Sequence, residues 1–149
     1  MYPIALGLHN LTRWIVIAAG LYAAIRFWRG WLQGGSWTSR ESNTSRLFVT
    51  TLDIQFLFGI LLYFFFSPLT RKAFSDMGVA MRNAPVRYFV VEHVVMMLAA
   101  IVLAHVGSAR VKRATSDVAK FQTAALWFGV SLAAILGFVP WGRPLIPSF

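Results

Sequence analysis

The stretch from Pro85 to Arg113, PVRYFVVEHVVMMLAAIVLAHVGSARVKR, decides how the rest of the chain is read. Glu92, His93 and His105 interrupt its apolar run, and Arg110, Lys112 and Arg113 close it. About twenty apolar residues in a helix cross the hydrocarbon core of a bilayer, and a cationic cluster is the usual stop at a membrane face. Ionisable side chains inside such a span are costly, so Glu92, His93 and His105 are the first candidates for function.

Composition agrees. Of 149 residues, 58% are hydrophobic and 13% charged, far from the balance of a soluble domain, and the length suits one domain. The net charge of +9 belongs to cations in short connections between apolar runs. There they anchor spans and set topology, so nucleic acid is not an expected partner and the lipid bilayer is. The chain has no cysteine. Disulfides, iron–sulfur clusters and thioether-linked haem are thereby excluded, and a cofactor has to be held by His, Met or carboxylate.

Working outward, the pattern predicts four spans in an all-α, integral membrane four-helix bundle of up-down-up-down topology. The first covers residues 5–28. No Lys or Arg precedes it, and His9, Asn10 and Arg13 interrupt it, so it reads as a retained span and not as a cleavable leader. Residues 29–46, rich in Gly, Ser, Asn and charge, read as a loop, with Thr44 or Ser45 capping the helix that follows. The second span covers residues 47–66 and ends at Ser67-Pro68. Between Pro68 and Pro85, the spacing of Phe74, Met77 and Met81 predicts one short amphipathic helix lying in the interface. The third span covers residues 86–106, a basic loop follows from Arg110 to Lys120, and the fourth span covers residues 121–139, closed by Pro140. The tail WGRPLIPSF is too rich in proline to continue a helix.

Cations in the connections orient the bundle. Arg26, Arg29, Arg40, Arg46, Arg110, Lys112, Arg113 and Lys120 fall on one side. Arg71, Lys72, Arg82, Arg87 and Arg143 fall on the other, with Arg13 just inside the first span. The larger group marks the cytoplasmic face, which puts both termini outside.

His9 and His93 sit at similar depth, one to two turns into spans one and three, which run parallel. These spans are diagonal neighbours, with axes roughly 14 Å apart for neighbours spaced roughly 10 Å. Two imidazoles at that separation suit the opposite faces of one flat macrocycle, so the pair is a candidate metal-ligand set for a haem iron. Gly59 of span two and Ala133, Ala134 and Gly137 of span four fall at the same depth and offer room. Small residues also let helices close up without any ligand. Arg13, one turn after His9, either holds a propionate or neutralises Glu92.

The segments LHNLTRW, VEHVVMMLAAIVLAHVGSARVKR and FVPWGRPLIP resemble the small four-helix bacterial membrane proteins labelled b-type cytochromes. The resemblance runs over nearly the whole chain. It implies one haem b on His9 and His93 and a place in the bacterial inner membrane. It gives no counterpart for His105 and names no substrate.

Three functions follow as expectations. The first is a membrane electron-transfer subunit with one haem b near the outer face and no catalytic residues of its own. Its partners would be a quinone or quinol, a redox partner protein, or a larger respiratory or photosynthetic complex. The second is copper handling by His93 with Met96 or Met97, although adjacent methionines point about 100° apart on a helix and are commonly core filling. The third is a cofactor-free accessory subunit, in which His9 is an interfacial polar residue and His93 a hydrogen-bonded structural one. Asp53 and His105 are expected to face each other inside the bundle near its cytoplasmic end, as a polar clamp or as a proton-accepting pair beside a quinone.

Overall fold

The computed structural model describes residues 1–142, which contain helices and no strands. Helix α1 spans Tyr2–Leu32, and α2 spans Ser39–Leu61 and continues as a π-helical turn, Leu62–Phe66. Three short helices follow, α3 (Pro68–Ser75), α4 (Met77–Arg82) and α5 (Ala84–Arg87). A second π-helical turn, Tyr88–Glu92, leads into α6 (His93–Arg113), and α7 spans Asp117–Phe138. Four continuous helices, Tyr2–Leu32, Ser39–Phe66, Ala84–Arg113 and Asp117–Phe138, are long and apolar enough to cross a membrane.

The helix ends explain where the expected boundaries moved. Helix α1 outruns its apolar stretch and stops at Gly34, which takes the left-handed φ of +63°. The Gly35 N–H then reaches the Gly30 carbonyl at 2.9 Å, a Schellman closure that satisfies one of the last orphan carbonyls. Neither Thr44 nor Ser45 caps α2. Thr38 does, because Thr38-Ser39-Arg40-Glu41 is a capping box: the Thr38 side chain accepts from the first turn, and Glu41 accepts from the Thr38 N–H at 3.0 Å. The loop shrinks to residues 33–38.

The basic connection shrinks likewise. Helix α6 carries on through Arg113, and Ser116 caps α7 by accepting from the Ala119 N–H at 3.2 Å, which leaves three linking residues. Between the second and third long helices, one amphipathic helix was expected and two short ones, α3 and α4, form before α5 opens the third. Asp76 and Asn83 cause the breaks, each accepting from a backbone N–H three residues on, at 3.0 and 3.2 Å. Helix α7 stops at Phe138, with Val139 held extended by Pro140. The tail from Arg143 onward lies outside the described residues.

Helix α1 packs on α2 and on α7, and α6 packs most extensively on α7, whereas α2 and α6 touch sparsely. Phe27, Phe48 and Phe128, from α1, α2 and α7, are fully buried and meet at the centre with centroids 5.5 and 5.8 Å apart. The α6–α7 seam is built from small side chains: Ala100, Ala104, Ala124 and Ala125 have no exposed surface. Ser131 Oγ donates across it to the Ala100 carbonyl at 2.8 Å. Lipid tails are as apolar as these side chains, so close packing and cross-helix hydrogen bonds hold such a seam, and transfer out of water contributes little.

Candidate site at the histidine end of the bundle

His9 projects from α1 onto α2. A Cβ added at Gly59 would lie 3.5 Å from His9 Cε1, in ordinary van der Waals contact, so the ring stands against this glycine. One turn before Gly59, the Gln55 amide nitrogen donates to the His9 carbonyl at 3.0 Å and stands 3.2 Å from His9 Nε2. A carbonyl only accepts, which sets the amide orientation and leaves the Gln55 oxygen for the Thr12 hydroxyl. His9 Nε2 is then the acceptor and Nδ1 carries the proton. Nδ1 is buried with no hydrogen-bond partner, a state that proteins rarely leave uncompensated.

His93 leans on the end of α7. Its Nδ1 lies 2.8 Å from the Phe138 carbonyl, one of the orphan acceptors at that helix terminus. Nδ1 is therefore the donor, and Nε2 keeps its lone pair with no hydrogen-bond partner among the described residues. The Tyr88 hydroxyl donates to the same carbonyl at 2.6 Å.

The two π-helical turns flank this pair, one shortly after Gly59 and one ending immediately before His93. Such turns widen a helix, free carbonyls and gather at functional sites. Here Tyr63 of the first donates to the Val90 carbonyl of the second at 2.8 Å, and Thr70 donates to the Tyr63 carbonyl at 2.7 Å. The Tyr63–Val90 bond ties the His9 end of α1–α2 to the His93 end of α6–α7, so both imidazoles occupy one end of the molecule.

The remaining candidates divide. Arg13 is buried at 6% exposure, with its guanidinium 5.7 Å from the Trp14 ring centre. Glu92 accepts from Arg87 Nε at 2.7 Å, so among the described residues the carboxylate is not Arg13's partner. Ala134 packs against the core. Ala133 and Gly137 do not line the interior: both are exposed, four residues apart on the α7 stripe that also carries Leu126 and Val130. Their depth was readable, but the helix phase turns them outward. Met97 packs against the core as filling, and no group of three or more His, Asp or Glu among the described residues is placed to hold a metal.

Asp53 and His105 do meet, with Oδ1 2.8 Å from Nε2. The pair is not inside the bundle: the side chains are 48% and 51% exposed, bridging the outer edge of the sparse α2–α6 seam. Gln55, Tyr63, Tyr88 and the Phe138 carbonyl are the parts of the site that sequence reasoning did not assign. Gln55 alone left a trace, as an amide in an apolar run one turn from Gly59.

Comparison with protein-family models, with curated proteins and with solved structures finds no match to this chain.

Proposed function

We propose that the chain is a membrane electron-transfer subunit that holds one haem b between His9 and His93. The observation that carries this reading is the Nδ1–H of His93 on the Phe138 carbonyl. It fixes the tautomer, aims the ring and leaves Nε2 free, which is how metal-bound imidazoles are held from behind. His9 is taken as the second ligand because its ring stands against a glycine, and ligation through Nε2 would replace the bond that nitrogen accepts from the Gln55 amide. Buried Arg13, one turn from His9, supplies a cation for a propionate.

A haem b with two imidazole ligands supplies a one-electron couple and no open iron position. The protein's own part is to hold two neutral rings, to exclude water with the packed helices, and to keep Tyr63, Tyr88 and Gln55 bonded around them. In this reading the bundle is up-down-up-down in the bacterial inner membrane. Both termini and the histidine end lie outside, and helices α3 and α4 lie in the outer interface, where Phe74, Met77 and Met81 are about 40% exposed. Electrons are exchanged with a quinol or a redox partner.

The experiment is a reduced-minus-oxidised spectrum of the protein purified from haem-supplemented cells. A b-type α band at one haem per chain is the expected result. Its absence from wild type favours a second reading, a cofactor-free accessory subunit. That reading draws on the same hydrogen bonds, since each histidine already bonds a neighbouring helix.

A further inference from the structure

At the end of the bundle remote from the histidine pair, a cavity of about 240 Å³ with mixed polar and apolar walls opens between three helices. Ser42, Ser45 and Arg46 of α2, Ser108 and Lys112 of α6, Lys120 of α7 and the interhelix Trp37 line it. The cations come from three different helices, and among the described residues none of them has a carboxylate partner. Of the acidic groups near these residues in sequence, Glu41 is already taken by Arg26 and by its own helix cap, and Asp117, one turn before Lys120, makes no ion pair among the described residues.

The hydroxyls separate in the same way. Ser42 is occupied, accepting from Trp37 Nε1 at 3.0 Å and donating to the Thr38 carbonyl. Ser45 is 5% exposed, lines the cavity, and has no hydrogen-bond partner among the described residues. A helical serine commonly bonds the carbonyl one turn back, as Thr44 does to Arg40 at 2.8 Å. A hydroxyl that forgoes this bond and opens into a cleft lined by cations of three helices suits an anionic oxygen ligand.

We propose that this cavity binds one phosphate group, and that its source is the headgroup of an anionic phospholipid. The cavity is smaller than sites for drug-sized ligands and suits a phosphate-scale group. It sits at the termini of the membrane-length helices, beside an indole, which is the level of lipid phosphates. Basic clefts between helix ends are a known way to hold such headgroups.

The test is native mass spectrometry of the full chain released from phosphatidylglycerol-containing and phosphatidylcholine-only nanodiscs, with inorganic phosphate as a separate ligand. Wild type retains one phosphatidylglycerol. Arg46→Gln with Lys112→Gln lowers retention by roughly tenfold or more, given the attraction each cation exerts near a membrane surface. Arg29→Gln with Arg113→Gln removes equal charge from the same end outside the cavity and leaves retention unchanged. Ser45→Ala, which changes no charge, also lowers retention. If inorganic phosphate binds and the lipid does not, with the same dependence on Arg46, Lys112 and Ser45, the phosphate site stands and a soluble source replaces the lipid. Equal retention by the cavity and control variants, or no binding of either ligand, overturns the proposal.

Discussion

His93 and His9 are the residues whose replacement reports most directly on the proposed cofactor. His9→Ala and His93→Ala are each expected to abolish the b-type band in purified protein, while His105→Ala keeps it. His105 lies twelve residues beyond His93, about 18 Å along the helix, so one haem cannot use both. Loss of the band in His105→Ala equal to that in His93→Ala would refute the ligand assignment. Away from the site, Ser131→Ala removes the buried bond to the Ala100 carbonyl and is expected to cost about 0.6 kcal/mol, the average for cross-helix bonds in membranes. The Arg26–Glu41 pair carries more, because Glu41 is only 4% exposed. Arg26→Met leaves that carboxylate without its cation and should cost about 2 kcal/mol in denaturant titration, less than the ~3–5 of fully buried pairs because Arg26 keeps some exposure. The histidines were legible as residues, being ionisable groups in apolar runs. Their hydrogen-bond partners were not, because the Phe138 carbonyl has no sequence identity and Gln55 acts through a rotamer.

At the scale of elements, glycine closeness and capping set the bundle. Gly107 lets α6 approach α7 until an added Cβ would stand 2.5 Å from Trp127 Cβ. Gly107→Val should therefore force the helices apart and cost about 1–3 kcal/mol, read as a lower midpoint of thermal unfolding in detergent, whereas Gly137→Ala, with no described atom near the added Cβ, should not lower the midpoint. Thr38→Ala removes one half of the capping box and should cost about 1 kcal/mol. That signature, Thr38 followed three residues later by Glu41, stood in the sequence, but it fell inside a run read as loop for its Gly, Ser and charge. The breaks at Asp76 and Asn83 were visible only as polar residues, since side-chain capping competes with helix continuation locally and periodicity averages over it. The π-helical turns had no sequence signature; they depend on carbonyls finding donor partners such as the Tyr63 and Thr70 hydroxyls across the fold.

For the whole molecule, the charge asymmetry makes a topological statement that fusions can check. An alkaline phosphatase fused after Phe149 should be active and a fluorescent protein fused there dark; the reverse would place the larger cation group, and with it the phosphate cavity, on the outer side.

Four apolar runs bounded by cations and prolines determined that the chain is helical with four membrane-length segments, because length and hydropathy are properties of each segment alone. Depth along a helix followed too, since each residue rises a constant distance, and it brought His9 to Gly59 and Asp53 to His105. What the tertiary structure decided was rotation about each helix axis. Long spans apolar on every side carry no moment to set their phase. Only packing of Phe27, Phe48, Phe128 and the small residues of α6–α7 turned Ala133 and Gly137 outward, left the Asp53–His105 pair on the outer edge of the α2–α6 seam, and gathered Arg46, Lys112 and Lys120 around Ser45.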